Sequence, residues 1–387
     1  MRPVYITAIA SALPNAPVGN DQMESVLGMV GNKPSRARPI VLKSNGIQTR
    51  YYAIDPTTGK ATHSNAQLTA AAITALAADD DPQASVDCLA CGTSLPDQLM
   101  PNHAVMVQGE LGLSACEVIA TSGVCLAGIS ALKYAWLAVA SGEHQRAIAT
   151  GSEVASAVLR GHMFAPEVES RIAALEKSPE LVFEKDFLRW MLSDGAGAVR
   201  LAPTPARKGL SLRIEWLDIR SYADQLDTCM YAGAVKQDDG NLLSWKTFTP
   251  QDWLEQSVFA IKQDVKLLNS NIVPVTVEQF LPDIMRKRGL SADNVDYFLP
   301  HYSSEYFRQR LYDGMKNAGC EIPYERWATN LTHKGNTGSA SIYIMLEELF
   351  HSGRLQIGER ILCYIPESGR FSSAFMLLTV CDHNSVT

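Results

Sequence analysis

The sequence predicts an α/β protein made of two successive copies of one strand-and-helix order. Short apolar, β-branched runs alternate with longer helical stretches along the whole chain, the pattern of parallel strands with crossover helices. The same order restarts after a proline-containing joint at residues 202–209. At 387 residues the chain also exceeds what a single hydrophobic core usually organises. The division therefore falls between residues 1–203 and 204–387.

In the first half, strands are expected at Val4–Ile9, Val86–Cys91, Glu117–Ala120, Arg146–Gly151 and Gly197–Leu201, with helices at Asn65–Ala78, His103–Leu111 and Cys125–Ser141. The second half opens with a strand at Leu212–Ile219, followed by helices at Trp253–Leu268 and Thr276–Arg288. A strand at Val295–Pro300, a helix at Ser339–Ser352 and strands at Arg360–Ile365 and Ala374–Val380 complete it. This repetition places Cys125 and Asn336 near the starts of equivalent helices. Ser156–Trp190 has no counterpart in the second half and reads as an insertion that shapes a pocket or an interface.

Composition excludes several classes. A net charge of -7 and the lack of a basic stripe argue against a nucleic-acid partner. No apolar run approaches the ~18 residues of a membrane span, and the first residues read as a strand without a basic leader, so a soluble protein is expected. The eight scattered cysteines make no disulfide framework and fit a cytoplasmic location. Cys88 and Cys91 form a CxxC, but within a buried strand pattern and without a second pair to complete a zinc site, so no metal is expected.

Three places carry chemistry. Cys125 follows Thr121-Ser122-Gly123-Val124 and opens an apolar helix, where unpaired amides and the macrodipole favour a thiolate, the nucleophilic form. His301 lies just past the carboxyl end of a strand, where ligands gather in open parallel sheets. Asn336 sits in Lys334-Gly335-Asn336-Thr337-Gly338-Ser339, a loop entering a helix of small residues. Each has an ordinary structural reading beside the functional one: a buried thiol, a satisfied histidine and a helix cap.

Taken in this order, the three resemble the ketoacyl-carrier-protein synthase type III branch of the thiolase superfamily. Supporting stretches are Gly46-Ile47-Gln48-Thr49-Arg50, Gly92-Thr93-Ser94, Ala149-Thr150-Gly151-Ser152-Glu153 and Ser193-Asp194-Gly195-Ala196-Gly197-Ala198. The resemblance covers nearly the whole chain. It implies a thiolase fold, two halves in a layered α-β-α-β-α arrangement, and an acyltransferase that needs no cofactor. Cys125 would hold an acyl group, and His301 and Asn336 would aim N–H groups at the thioester carbonyl of a second substrate while a carbon–carbon bond forms. The backbone amides of Cys125 and Gly369 are the implied oxyanion donors, although Pro366-Glu367-Ser368-Gly369-Arg370-Phe371 keeps only one glycine of the usual turn. Ser304, Met100 and Phe371 are implied substrate contacts.

Other departures concern the substrates. His301-Tyr302-Ser303-Ser304 stands where simple members carry His-Gln-Ala-Asn, and near Ile40–Ser44 the tryptophan and arginine that often grip coenzyme A are missing. These changes point to acyl groups delivered by an acyl carrier protein rather than by coenzyme A. The branch they most resemble joins two ketoacyl chains into cyclohexanediones or dialkylresorcinols. A homodimer is expected, with Leu95–Pro101 reaching toward the partner's pocket.

Three rival readings exist. A papain-like hydrolase shares the Cys-His-Asn order but not its local signature. An acyltransferase acting on an alcohol or amine would keep the fold but use His301 as a general base, which benefits from a carboxylate or amide that orients the ring. A catalytically silent partner subunit would typically have lost the nucleophile.

Overall fold

The computed structural model describes residues 1–76, 86–164 and 187–385. Nine strands form one twisted mixed sheet: β1 (Tyr5–Ala12), β2 (Cys88–Thr93), β3 (Glu117–Thr121), β4 (Ala147–Glu153), β5 (Gly195–Ala202), β6 (Ser211–Ser221), β7 (Tyr297–Pro300), β8 (Arg360–Glu367) and β9 (Ser372–Cys381). Their spatial order is β7-β8-β9-β6-β1-β5-β4-β2-β3. The principal helices are α1 (Asn65–Ala75), α2 (His103–Leu111), α3 (Leu126–Ser141), α4 (Val265–Val273), α5 (Leu281–Arg288), α6 (Arg308–Asn317) and α7 (Ser341–Phe350).

The order repeats. On one side β3-β2-β4 run parallel, and β4-β5-β1 continue antiparallel. On the other, β7-β8 are parallel and β8-β9-β6 antiparallel. The counterpart of β3 shrinks to a single parallel bridge between Phe298 and Trp327. Only Tyr5↔Arg213 and Ile6↔Leu212 pair across the join between β1 and β6.

Side-chain alternation along each strand sorts the core into layers. On β8, Ile361, Cys363 and Ile365 face the central helices α3 and α7, whereas Leu362 and Tyr364 face the cluster containing Phe280, Ile284 and Leu311 of the outer helices. On β2, Cys88 and Ala90 point inward, whereas Leu89 and Cys91 pack against α1 and α2. The two thiols of the CxxC therefore lie on opposite faces of the sheet. Outer helices, half-sheet, central helices, half-sheet and outer helices follow in turn, the α/β layering of a thiolase fold.

Glycines at points of closest approach bring the halves together. A side chain on Gly92 would meet the Ala127 carbonyl oxygen at 2.2 Å, and one on Gly151 would meet that of Ser339 at the same distance. Only a residue without Cβ lets α3 and the turn before α7 lie directly on the strands.

One predicted element differs. Trp253–Leu268 is not a continuous helix: a helix at Pro250–Glu255 ends, Ser257 takes φ +45°, and Lys262–Gln263 pairs with Met230–Tyr231 before α4 starts. Asp264 causes the restart, because its carboxylate accepts the Leu267 N–H and caps the new helix. Trp253 packs edge to face on both Trp245 and Phe259 at the break, so the apolar residues that mimic helical periodicity build a local cluster. The expected helix through Ala78 is seen to Ala75, and most of the insertion at Ser156–Trp190 lies outside the described residues.

Candidate active site

Three loops from both halves meet at one cleft. Cys125 immediately precedes α3, at its N-cap. His301 follows β7 and is anchored by its backbone N–H to the Tyr364 carbonyl at 2.8 Å. Asn336 is held in the turn before α7 by its N–H to the Met191 carbonyl, at 3.1 Å, and by its carbonyl to the Ser193 N–H, at 2.9 Å. All three side chains line a cleft with about 570 Å³ of empty space, part of it open to solvent. Met191, Leu268, Ile272, Phe307 and Leu311 supply much of its apolar wall.

The donors are prepared differently. The Asn336 side-chain oxygen accepts the Gly338 N–H at 3.0 Å, so its amide nitrogen is what remains to offer the cleft. His301 is 4% exposed, and burial holds its imidazole down to about 4. The ring is therefore neutral at ordinary pH and carries one N–H. Among the described residues no carboxylate bonds it or shifts it.

Cys125 reverses an expectation. A helix N-terminus was expected to draw the thiol toward ionisation, yet here it is pushed well above its ordinary range, first by burial and then by the charges of Glu367 and Glu153. The anion-binding amides are already occupied: Oε2 of Glu367 accepts the N–H of Val124 at 3.0 Å and of Leu126 at 3.1 Å. A carboxylate from β8 thus takes the amides on either side of Cys125 and leaves the Cys125 N–H outside that pair. Burial raises Glu367 in turn, against the lowering by those two N–H groups.

The supporting motifs have structural work. Glu153 is buried, its Oε1 accepting from Ser94 N, Ser94 Oγ and Ser339 N at 3.0, 2.5 and 3.3 Å, and so ties β4 to the Asn336 turn. Asp194 accepts from Ala53 N and Ser156 N at 2.7 and 2.9 Å, while burial pushes it up to about 6. Arg50, fully buried, donates from Nε to the Trp190 carbonyl at 3.1 Å and fixes the backbone beside the cleft-lining Leu188 and Met191.

The lesser site candidates lie elsewhere. Ser304 caps the turn after β7, accepting the Tyr306 N–H at 3.2 Å, and Ser303 lines the cleft in its place. Phe371 is wholly buried at φ +57° in the core. Met100 is 82% exposed and outside the cleft of its own chain. Gly369 gives its carbonyl to the Cys229 N–H at 2.9 Å, whereas Ser368 lines the cleft and receives the Gln263 side-chain amide, also at 2.9 Å. Sequence reasoning overlooked Glu367, although a glutamate inside a small-residue turn was the available signal.

Comparison with known proteins places the chain among similar sequences and folds. Residues 285–370 match the family model for the C-terminal region of 3-oxoacyl-[acyl-carrier-protein] synthase III. A beta-ketoacyl-[acyl-carrier-protein] synthase III of Clostridium perfringens is 26% identical over 324 residues, covering 82% of this chain and 83% of its own. Among solved structures, AbyA1, a tetronic acid condensing enzyme, is similar with a TM-score of 0.73 and 21% identity, over 97% of this chain and 99% of its own. Synthase III (FabH) of Pseudomonas aeruginosa gives 0.69 and 19%, over 98% of each chain. OleA of Xanthomonas campestris, solved with lauric acid and lauroyl-CoA, gives 0.70 and 20%, over 97% of this chain and 99% of its own. With a thiolase fold and a cysteine, histidine and asparagine lining one cleft, the chain is similar to the ketoacyl-[acyl-carrier-protein] synthase III type of condensing enzyme.

Proposed function

We propose that the protein joins two acyl chains by a Claisen-type condensation in which Cys125, His301 and Asn336 divide the work. Cys125 attacks an acyl thioester and keeps the acyl group, splitting one transfer into two steps. The Cys125 N–H, with a second amide from the turn at Ser368–Gly369, holds the acyl oxygen. The His301 N–H and the Asn336 amide then receive the enolate oxygen of the second thioester as its α-carbon becomes the nucleophile. The observation that carries this reading is that one cleft is lined by all three side chains, two of them neutral N–H donors.

The state of His301 also favours condensation over transfer to an alcohol or amine. A general base toward a hydroxyl benefits from a partner that orients and charges the ring, and no carboxylate among the described residues does so. Both donors are read as carrier-protein thioesters in specialised lipid or polyketide synthesis, with cyclohexanedione or dialkylresorcinol formation as the narrowest reading. The apolar wall of the cleft, the exposed Lys43 where an aromatic platform is missing, and the likeness to a tetronic acid condensing enzyme support it. The active form is a homodimer in this reading, with the exposed Leu99 and Met100 offered to a second copy.

Intact-protein mass spectrometry after exposure to a pool of acyl carrier proteins tests the first step. Adding a malonyl or ketoacyl carrier protein, against a panel of alcohols and amines, tests the second by product mass. An ester or amide product in place of a new ketone overturns condensation. Absence of any acyl mass on Cys125 restores the silent-subunit reading.

A further inference from the structure

The carboxylate of Glu367 has no task in the two steps above, yet it holds the backbone N–H groups on both sides of the nucleophile. It leaves β8 at the start of the turn to β9 and closes over the N-terminus of α3. Gly123 makes room for it: at φ +148° it has no side chain, and a Cβ there would lie 3.2 Å from Oε2. Gly369 flanks the other oxygen, its own would-be Cβ 3.1 Å from Oε1. Oε2 is spent on the amides of Val124 and Leu126, whereas no hydrogen bond to Oε1 is found among the described residues. Two glycines and two amides therefore build a seat for a carboxylate against the residues flanking the cysteine, with one oxygen left unbonded among the described residues.

That seat works against the usual device for activating a thiol. A helix N-terminus stabilises a thiolate through its amides and dipole, and here a second anion already holds them. Burial and the neighbouring charge keep Cys125 protonated at rest. His301 has no charged partner and stays neutral, so it is ill suited to remove that proton. The attack on a thioester needs a proton acceptor near the sulfur, and Glu367 is the carboxylate whose charge acts most on this thiol, ahead of Glu153.

Building on the condensing reading, we propose that Glu367 is a catalytic residue of the loading step, the carrier of the Cys125 thiol proton. As the Cys125 sulfur bonds to the carbonyl carbon of the incoming thioester, its S–H bond breaks and the proton passes to the free Glu367 oxygen. The tetrahedral adduct then collapses, the bond from carbon to the carrier's pantetheine sulfur breaks, and that leaving thiolate takes the proton from Glu367. The carboxylate returns to its charged state, and one thioester has been exchanged for another with no net proton uptake.

The test uses two reactions of Cys125 that depend on Glu367 with opposite sign. Alkylation by iodoacetamide follows the thiolate fraction, so Glu367→Gln, which removes the adjacent charge, should alkylate several-fold faster at neutral pH. Acyl loading from an acyl carrier protein, followed by intact mass, should instead slow by about 100-fold or more in the same variant. Wild-type protein supplies a second measurement that needs no variant. Its loading rate should rise with pH only through the range where Glu367 ionises, and be level above it. A variant that loads at the wild-type rate, or that slows in both reactions while its thermal unfolding is unchanged, overturns the proposal. So does a wild-type rate that climbs about tenfold per pH unit from neutral to alkaline pH, the mark of a thiol ionising unaided. Wild-type protein that alkylates at Cys125 but never gains acyl mass overturns the condensing reading instead.

Discussion

Tyr343 reaches from α7 to Gly128 on α3, its hydroxyl donating to the Gly128 carbonyl at 2.8 Å. The tyrosine is buried, and the bond ties the helix that Cys125 opens to the helix that follows Asn336. The distance between nucleophile and amide donor is thus set by packing deep in the core.

Gly151→Ala should be far more damaging than its chemistry suggests. The new Cβ would fall 2.2 Å from the Ser339 carbonyl oxygen, and that turn carries Asn336. Overpacking of this kind costs about 1–3 kcal/mol or more. Chemical denaturation is expected to show a loss in that range, with condensation reduced more than loading because Asn336 moves. Tyr343→Phe, which removes one buried hydrogen bond, should cost only about 1 kcal/mol.

His301→Ala and Asn336→Ala should each leave Cys125 loading within a few-fold of wild type while condensation falls by about 100- to 1000-fold. Single-turnover assays on pre-acylated protein separate the two. Equal losses in both steps would place these residues in the first step and defeat the assigned roles.

Enlarging the cleft wall should shorten the accepted acyl chain. Ile272 and Leu311 line the cleft from α4 and α6. Ile272→Phe or Leu311→Phe is expected to shift loading from long to short acyl carriers in a competition followed by mass, with neutral-pH alkylation of Cys125 unchanged. An unaltered chain-length profile in both variants would mean that the acyl group lies elsewhere.

Stability should register His103 on acidification. The ring is 3% exposed and burial holds it down to about 4, against 6.5 for an ordinary histidine. The unfolded chain therefore binds a proton that the folded chain refuses. Its contribution to stability is whole above pH 6.5 and is lost as pH falls toward 4. Asp194, raised to about 6, opposes this, since its ionised form is the disfavoured one in the fold and acid relieves it. Comparison with His103→Gln isolates the histidine: the advantage of wild type should shrink by roughly 1 kcal/mol per pH unit between pH 6.5 and 4 in urea unfolding. A constant difference across that range would show that His103 titrates normally.

The primary structure alone carried the alternation of strands and helices, the restart near residue 205, and the prominence of Cys125, His301 and Asn336. These were legible because periodicity, caps and small-residue turns are local, and a strand end or helix start announces itself within a few residues. The glycines of the Gly92, Gly151 and Gly197 stretches were legible as motifs, and their reason emerged as contact with Ala127, Ser339 and Tyr343. The helix read across Trp253–Leu268 was the opposite case, since Asp264 and an aromatic cluster override an apolar spacing that fits a helix equally well.

Tertiary structure decided the electrostatics. Whether a helix N-terminus ionises a thiol depends on what else occupies its amides, and here the occupant arrives from residue 367, far along the chain. The same holds for Ser304, whose hydroxyl donates to the distant Ser44 carbonyl, and for Phe371, whose core position is fixed by partners distant in sequence. Charge and desolvation act through space, so a chain can declare its reactive residues one by one, but only the folded molecule sets the protonation state in which they meet.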